Sequence, residues 1–198
     1  MVDKKQNRTF VTLIEMNKEL QKVLTFWFEE LTSEDWFKGG ESLDSLIRDR
    51  FTGLHTEVAA GEFWRERGNV KSLLAEVIVL DQFSRNMFRG DVHSFAFDSL
   101  ALTLSQQAIS AGLDKDLPLE QRSFLYMPFM HSESKSIHAD GLTLFESLGI
   151  EETLKFEKIH KDIIDRFGRY PHRNKVMGRK STKEELEYLS SNHEVFFG

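Results

Sequence analysis

Apolar positions recur along this chain at intervals of three and four, the spacing that lays them on one face of an α-helix. Leu20, Val23, Leu24, Trp27 and Phe28 mark such a stripe within Glu15 to Glu30. Leu43, Leu46, Ile47, Phe51, Leu54 and Val58 mark the next, with Gly61 as its stop. Between them, Ser33 to Phe37 followed by Gly39 and Gly40 reads as a turn that tucks two aromatics, Trp36 and Phe37, onto the core. Asn69 is placed to cap a third helix through Leu73, Leu74, Val77, Ile78 and Leu80 to Phe83. That segment is apolar all round, which predicts a central position.

A fourth helix is predicted from Asp91 or Ser94 through Phe95, Leu102 and Ile109 to Gly112. Pro118 suits the first turn of a fifth. Pro128 is expected to end or bend that helix near Tyr126, because proline removes a backbone donor. Ser136 to Leu148 and Thr153 to Phe167 give two more around Gly149. The last starts at Ser181 or Thr182, where Ser181 and Glu184 have capping-box spacing. No hairpin signal or strand alternation interrupts the pattern, although Leu73 to Leu80 is β-branched enough to be ambiguous. Seven to eight helices with short loops predict a single all-α domain of antiparallel helices. Residues 1–22 read as an N-terminal extension and the start of the first helix, and 23–198 as the domain. No repeat stands out at the ~34-residue period of helical-hairpin arrays.

Composition narrows the class. The 198 residues are 40% hydrophobic and 29% charged, which suits a globular chain, and 17 Phe suit a thick helical core. The absence of Cys excludes disulfides, thiolate nucleophiles and Cys-ligated metals, and fits a reducing cytoplasm. No apolar run approaches the ~20 residues of a membrane span, and Met1 to Asn7 leads into no cleavable apolar core. The expectation is a soluble cytoplasmic protein. A net charge of −6 argues against broad nucleic-acid binding, including single-stranded RNA held by Arg, Tyr170 and Phe167.

Against that acidic background, His160 to Lys180 is strongly basic, with Arg166, Arg169, Arg173 and Arg179 among its cations. Gly168 can end a helix in the left-handed conformation, and Pro171 stiffens the exit. Arg169, Tyr170, His172, Arg173 and Asn174 are thereby held in a rigid loop, ordered before any ligand arrives. A second dense stretch runs from Leu80 to Gly90. On a helix, Gln82, Arg85, Asn86 and Arg89 share one side, and Asp81 stands four residues before Arg85. Such planar donors recognise carboxylate or phosphate. A third stretch, Tyr126 to Glu133, offers His131, Ser132 and Glu133. Adjacent residues cannot form a triad, and no Gly-x-Ser-x-Gly elbow surrounds Ser132. His131, Glu133, His138, His160 and His172 lack metal-ligand spacing, and no nucleotide-binding loop is present, so neither a metal nor a cofactor is expected.

Taken together, Asp81 to Gly90, His131 to Glu133, His160, Arg166 to Asn174 and Gly178 to Thr182 resemble the bacterial domain of unknown function 924 family. Trp27-Phe28 and Trp36-Phe37 also fit its pattern. The sequence departs at Ser84, where Pro is usual, at Tyr170, where Phe is usual, and at His138, where Gln stands. The resemblance implies a tetratricopeptide-like superhelical fold and no activity.

Two functional readings follow. In the first, Asp81, Gln82, Arg85, Asn86, Arg89, Tyr126, Arg166, Arg169, Arg173, Asn174 and Arg179 surround a small anionic ligand. His131, His160, His172 and Glu133 supply general acid–base chemistry, with Asp81 or Glu133 orienting a histidine. In the second, the chain is a tetratricopeptide-like interaction module that receives an acidic peptide, and the arginines pair with Asp81, Asp98 and Glu133 as structural glue.

Overall fold

The three-and-four spacing is realised as nine α-helices, with no strand, among the residues 16–191 that the computed structural model describes. The start expected at Glu15, most of the extension and the side chain of Phe37 lie outside what is described. Helix α1, Lys18–Thr25, is capped by Asn17 and runs on into a π-helical turn, Phe26–Glu30. The segment expected as a turn is a short helix, α2, Ser33–Lys38. It forms because Thr32 and Asp35 close a capping box, with the Thr32 N–H donating to Asp35 at 2.8 Å. Gly39 and Gly40, both at positive φ, lead into α3, Glu41–Ala59.

Helix α4, Val70–Val77, is capped by Asn69 as the sequence predicts. It continues without a break through a π-helical segment, Ile78–Phe83, into a last turn, Ser84–Met87. Leu73 to Leu80 are almost wholly buried, and α4 packs against α1, α3 and the next two helices. Its all-round apolar character reflects that central place. The fourth predicted helix starts later than expected. Asp91 instead caps a separate 3-10 turn, Val92–Phe95, and α5 spans Asp98–Ser110.

Helix α6, Leu119–Met130, is not ended by Pro128. Every residue from Ser123 to Met130 is buried, so packing on all sides holds the turn despite the missing N–H. Helices α7, Lys135–Leu148, and α8, Glu151–Phe167, form an antiparallel pair against α6. Gly141 lets them close, since a Cβ there would stand 3.1 Å from Glu157 Oε1 and 3.2 Å from Phe129 Cβ. Gly168, at φ 70°, ends α8 in the left-handed form. A 3-10 turn, Pro171–Arg173, leads to α9, Lys183–Ser191. The capping box of α9 is set one residue later than predicted. Thr182 Oγ1 accepts from the Glu185 N–H at 3.1 Å, and Glu185 Oε2 accepts from the Thr182 N–H at 2.7 Å.

Two apolar clusters result. The larger fills α1 to α7, and the smaller joins Ile163, Ile164 and Tyr170 to Ile159, Phe167 and Tyr188. Among the described residues, no helix is long and apolar enough to cross a membrane.

Candidate functional site

The three chemically dense stretches meet where α4 ends, α6 ends and the loop after α8 returns. His131 is the C-terminal cap of α6, and the π-helical segment of α4 carries Asp81 beneath it. His131 Nδ1 donates to Asp81 Oδ1 at 2.8 Å. Gln82 Nε2 donates to Asp81 Oδ2 at 2.6 Å, and Arg85 Nη1 reaches Oδ1 at 3.0 Å. Burial pushes the Asp81 carboxyl up, but Arg85, His131 and Gln82 outweigh it and hold the group well below the usual carboxylate range. Burial, and then Arg85, lower the His131 imidazole against the opposing pull of Asp81. At neutral pH His131 therefore carries its one hydrogen on Nδ1. Among the described residues, Nε2 makes no hydrogen bond.

Asp98, in the first turn of α5, joins this cluster to the loop. Arg85 Nη2 and Arg173 Nη1 both donate to its Oδ2 at 3.1 Å. Arg173 Nη2 donates to the His131 carbonyl, also at 3.1 Å. The Arg173 guanidinium lies between the rings of Phe95 and Tyr170, 4.4 and 4.7 Å from their centroids. Its Nε is buried without a hydrogen-bond partner, although the residue is only 6% exposed. A buried donor left unmade costs about 1–3 kcal/mol, which favours an acceptor arriving from elsewhere.

His160 and His172 flank Tyr170, with ring centroids 5.7 and 5.4 Å from it. His160 Nδ1 donates to the Phe156 carbonyl at 2.8 Å, which fixes its neutral tautomer with the Nε2 lone pair free to accept. Burial lowers the His160 imidazole to about 4. Burial and the Arg173 charge lower His172 to about 3. The cluster thus holds neutral imidazoles beside two guanidinium groups.

The outer cations are occupied. Arg179 makes paired hydrogen bonds to Glu133, at 2.5 and 2.9 Å, and Glu133 also accepts from the Tyr170 N–H at 2.7 Å. Arg169 pairs with Glu185 at 2.7 and 2.9 Å, and Arg166 bonds Glu184 at 2.8 Å. Asn174 donates to Ser181 and Glu185 from a fully buried position. Arg89 reaches away from the cluster to Asp44 of α3, at 2.6 and 2.9 Å, and passes so close to Gly39 that a Cβ there would be 2.9 Å from Nη2. Asn86 donates to the Gln82 carbonyl and accepts from Arg89. Tyr126 is not brought to the cluster; its hydroxyl donates to Asp114 at 2.6 Å and its ring packs on Phe145.

Several participants had little or no sequence signal. Phe95 reads in the sequence only as an apolar position of the fourth helix and lies instead in the 3-10 turn before it, and Asp44 looks like an ordinary first-turn acid of α3. Glu157 carries a signal in the sequence. It falls three residues before His160 and seven before Ile164, on the inward stripe of α8, and is fully buried against His138. Among the described residues, no group of three His, Asp or Glu side chains converges as a metal site.

The family described as "Bacterial protein of unknown function (DUF924)" matches residues 23–193. A solved structure described as "Structure of Protein of Unknown Function ATU0120 from Agrobacterium tumefaciens" is similar at a TM-score of 0.83 and 35% identity. The alignment covers 87% of this chain and 97% of that one. No curated protein matches the chain.

Proposed function

Because this chain belongs to the DUF924 family, whose description assigns no activity, we propose a function from the site alone. The protein binds a small ligand bearing a carboxylate or phosphate, with His131 as its proton acceptor and Arg173 as its anion contact. The observation that carries this reading is the Asp81–His131 pair. A carboxylate on Nδ1 at 2.8 Å fixes the tautomer and presents Nε2 as a base. The unfilled Nε of Arg173 stands on the residue that bonds the His131 carbonyl. His160 and His172, neutral beside it, add hydrogen-bonding capacity without adding charge.

The charges also constrain the ligand. Arg85 and Arg173 are balanced by Asp81 and Asp98. An arriving anion is therefore best accommodated if His131 takes up a proton, and affinity should rise as pH falls towards the histidine range. Arg89, Arg166, Arg169 and Arg179 are given structural roles in this reading, because each already holds a carboxylate. That same pairing favours the second reading, a tetratricopeptide-like interaction module in which the whole network is structural.

A thermal-shift screen of phosphorylated and carboxylated metabolites tests the choice. A binder raises the melting temperature by mass action. The shift should persist in Arg166→Ala and vanish in His131→Gln and Arg173→Ala. If no anion shifts the wild type, the ligand reading fails and the interaction module stands.

A further inference from the structure

Directly behind Tyr170 is a second pair that the proposed ligand site does not use. His138 of α7 and Glu157 of α8 are both 0% exposed, and His138 Nδ1 lies 2.8 Å from Glu157 Oε1. The other contacts settle where the hydrogens are. His138 Nε2 is 2.8 Å from the Ser132 carbonyl, which can only accept, so Nε2 carries a hydrogen. The Tyr170 hydroxyl donates its own hydrogen to the Met130 carbonyl at 2.5 Å. Towards His138 Nε2, at 3.1 Å, its oxygen is therefore an acceptor.

A neutral imidazole with its hydrogen on Nε2 presents a lone pair at Nδ1. Facing a carboxylate at 2.8 Å, that lone pair would oppose another. One proton must lie between them. Glu157 Oε2 shows on which side. It is buried with no hydrogen-bond partner, a place that tolerates the carbonyl oxygen of an acid far better than half of a carboxylate charge.

We propose that Glu157 is a neutral carboxylic acid in the folded protein, and that its hydrogen bond to His138 is a proton-operated catch on the Tyr170 loop. When the proton is present, Glu157, His138 and Tyr170 form one chain of donors and acceptors from α8 to the end of α6. When it is lost, Glu157 and His138 repel, and the tether from His138 to Tyr170 is released. Arg173 stacks on Tyr170 and follows it. Any effect on ligand binding rests on the site proposed above; the catch itself does not.

Burial pushes the Glu157 carboxyl up, against the opposing pull of His138 and Lys161. The other ionisable groups near the pair have partners of their own. Lys161 bonds Asp165, Lys135 bonds the Asp165 carbonyl, and Glu133 bonds Arg179. His160 stays neutral at its value of about 4. In the unfolded chain, an ordinary imidazole and an ordinary carboxyl are both deprotonated above about pH 6.5. Between the ordinary carboxyl range and about pH 6.5 the unfolded pair holds one proton, as the buried pair does, so the catch contributes fully there, and its contribution drains away as pH rises from about 6.5 towards the point where the buried pair releases its proton.

Infrared difference spectra between wild type and Glu157→Gln at neutral pH test the proton's place. The carbonyl stretch of a protonated carboxyl group should be present in the wild type and lost in the variant. The glutamine amide can donate to His138 Nδ1 as the acid does, so this variant keeps the hydrogen bond. A second measurement follows unfolding from neutral to alkaline pH. The wild-type unfolding constant should rise by up to about tenfold per pH unit relative to Glu157→Gln. Identical infrared spectra, or parallel stability curves, overturn the proposal. Neither readout needs a ligand, so a failed anion screen leaves both tests standing.

Discussion

The two ends of the molecule are held together by different physics. Around α4, Phe26, Trp27, Phe51, Phe83 and Phe124 interlock with ring centroids 4.8 to 5.9 Å apart, and the Arg50–Glu30 pair touches this cluster only from outside, with the Arg50 guanidinium over the Phe26 and Phe51 rings. Around the Tyr170 loop, the apolar cluster is small, and Asp98, Glu133 and Glu185 tie Arg85, Arg173, Arg179 and Arg169 between elements. Apolar packing depends on volume and shape and is nearly indifferent to pH. A charge network sets acids against cations at neutral pH and becomes costly when one partner is removed or protonated. The first arrangement suits a scaffold. The second suits a region whose stability responds to a ligand or a proton.

Truncation in the scaffold should have the largest effect. Phe83→Ala removes a fully buried ring that touches Phe26, Trp27 and Phe51, and should cost about 3–5 kcal/mol in denaturant unfolding, nearly independent of pH and salt. A strong pH dependence of that loss would break the comparison.

Asp98→Asn removes the acid shared by Arg85 and Arg173, and should cost about 3 kcal/mol. Hydrogen exchange should locate the damage. Amides of residues 168–182 should lose protection while those of α4 keep theirs. Equal loss in both regions would show one cooperative unit.

Acidification sharpens the contrast with a smaller effect. An ordinary histidine in the unfolded chain binds a proton near pH 6.5, whereas His160 and His172 wait until about 4 and about 3. Below 6.5 the unfolded chain holds more protons, so stability present at neutral pH is lost as pH falls through those values. Melting temperatures of His172→Gln should fall less steeply from pH 6.5 to pH 4 than those of the wild type. The smallest effect is expected at Arg166→Ala. Its pair with Glu184 is half exposed, and its loss should change stability by no more than about 0.5 kcal/mol, less in high salt.

Much of the fold was legible because helices announce themselves locally. The stripes of α1, α3, α4, α7 and α8, the Asn69 cap and the Gly168 stop are all written in residues a few positions apart. The errors were also local, but they were decided from outside. Pro128 lies in a helix because buried neighbours surround it. Ser33 to Lys38 coils because Thr32 and Asp35 cap it. The site was legible as three stretches and not as a set of bonds. His131, Arg173 and Asp81 could be named, whereas the choice between open and occupied arginines could not be made.

The sequence by itself determined an all-α chain, a central apolar helix and the residue types that crowd the basic loop. Those properties depend on periodicity, propensity and composition, which act over a turn or two of backbone. Only the tertiary structure decided which arginine meets which acid, that Asp81 fixes the His131 tautomer, that Tyr126 turns away to Asp114, and that Glu157 is buried against His138. The last three of these contacts join residues separated by 12 to 50 positions. Their energy comes from burial and from the exclusion of water, which no segment possesses until the helices have packed.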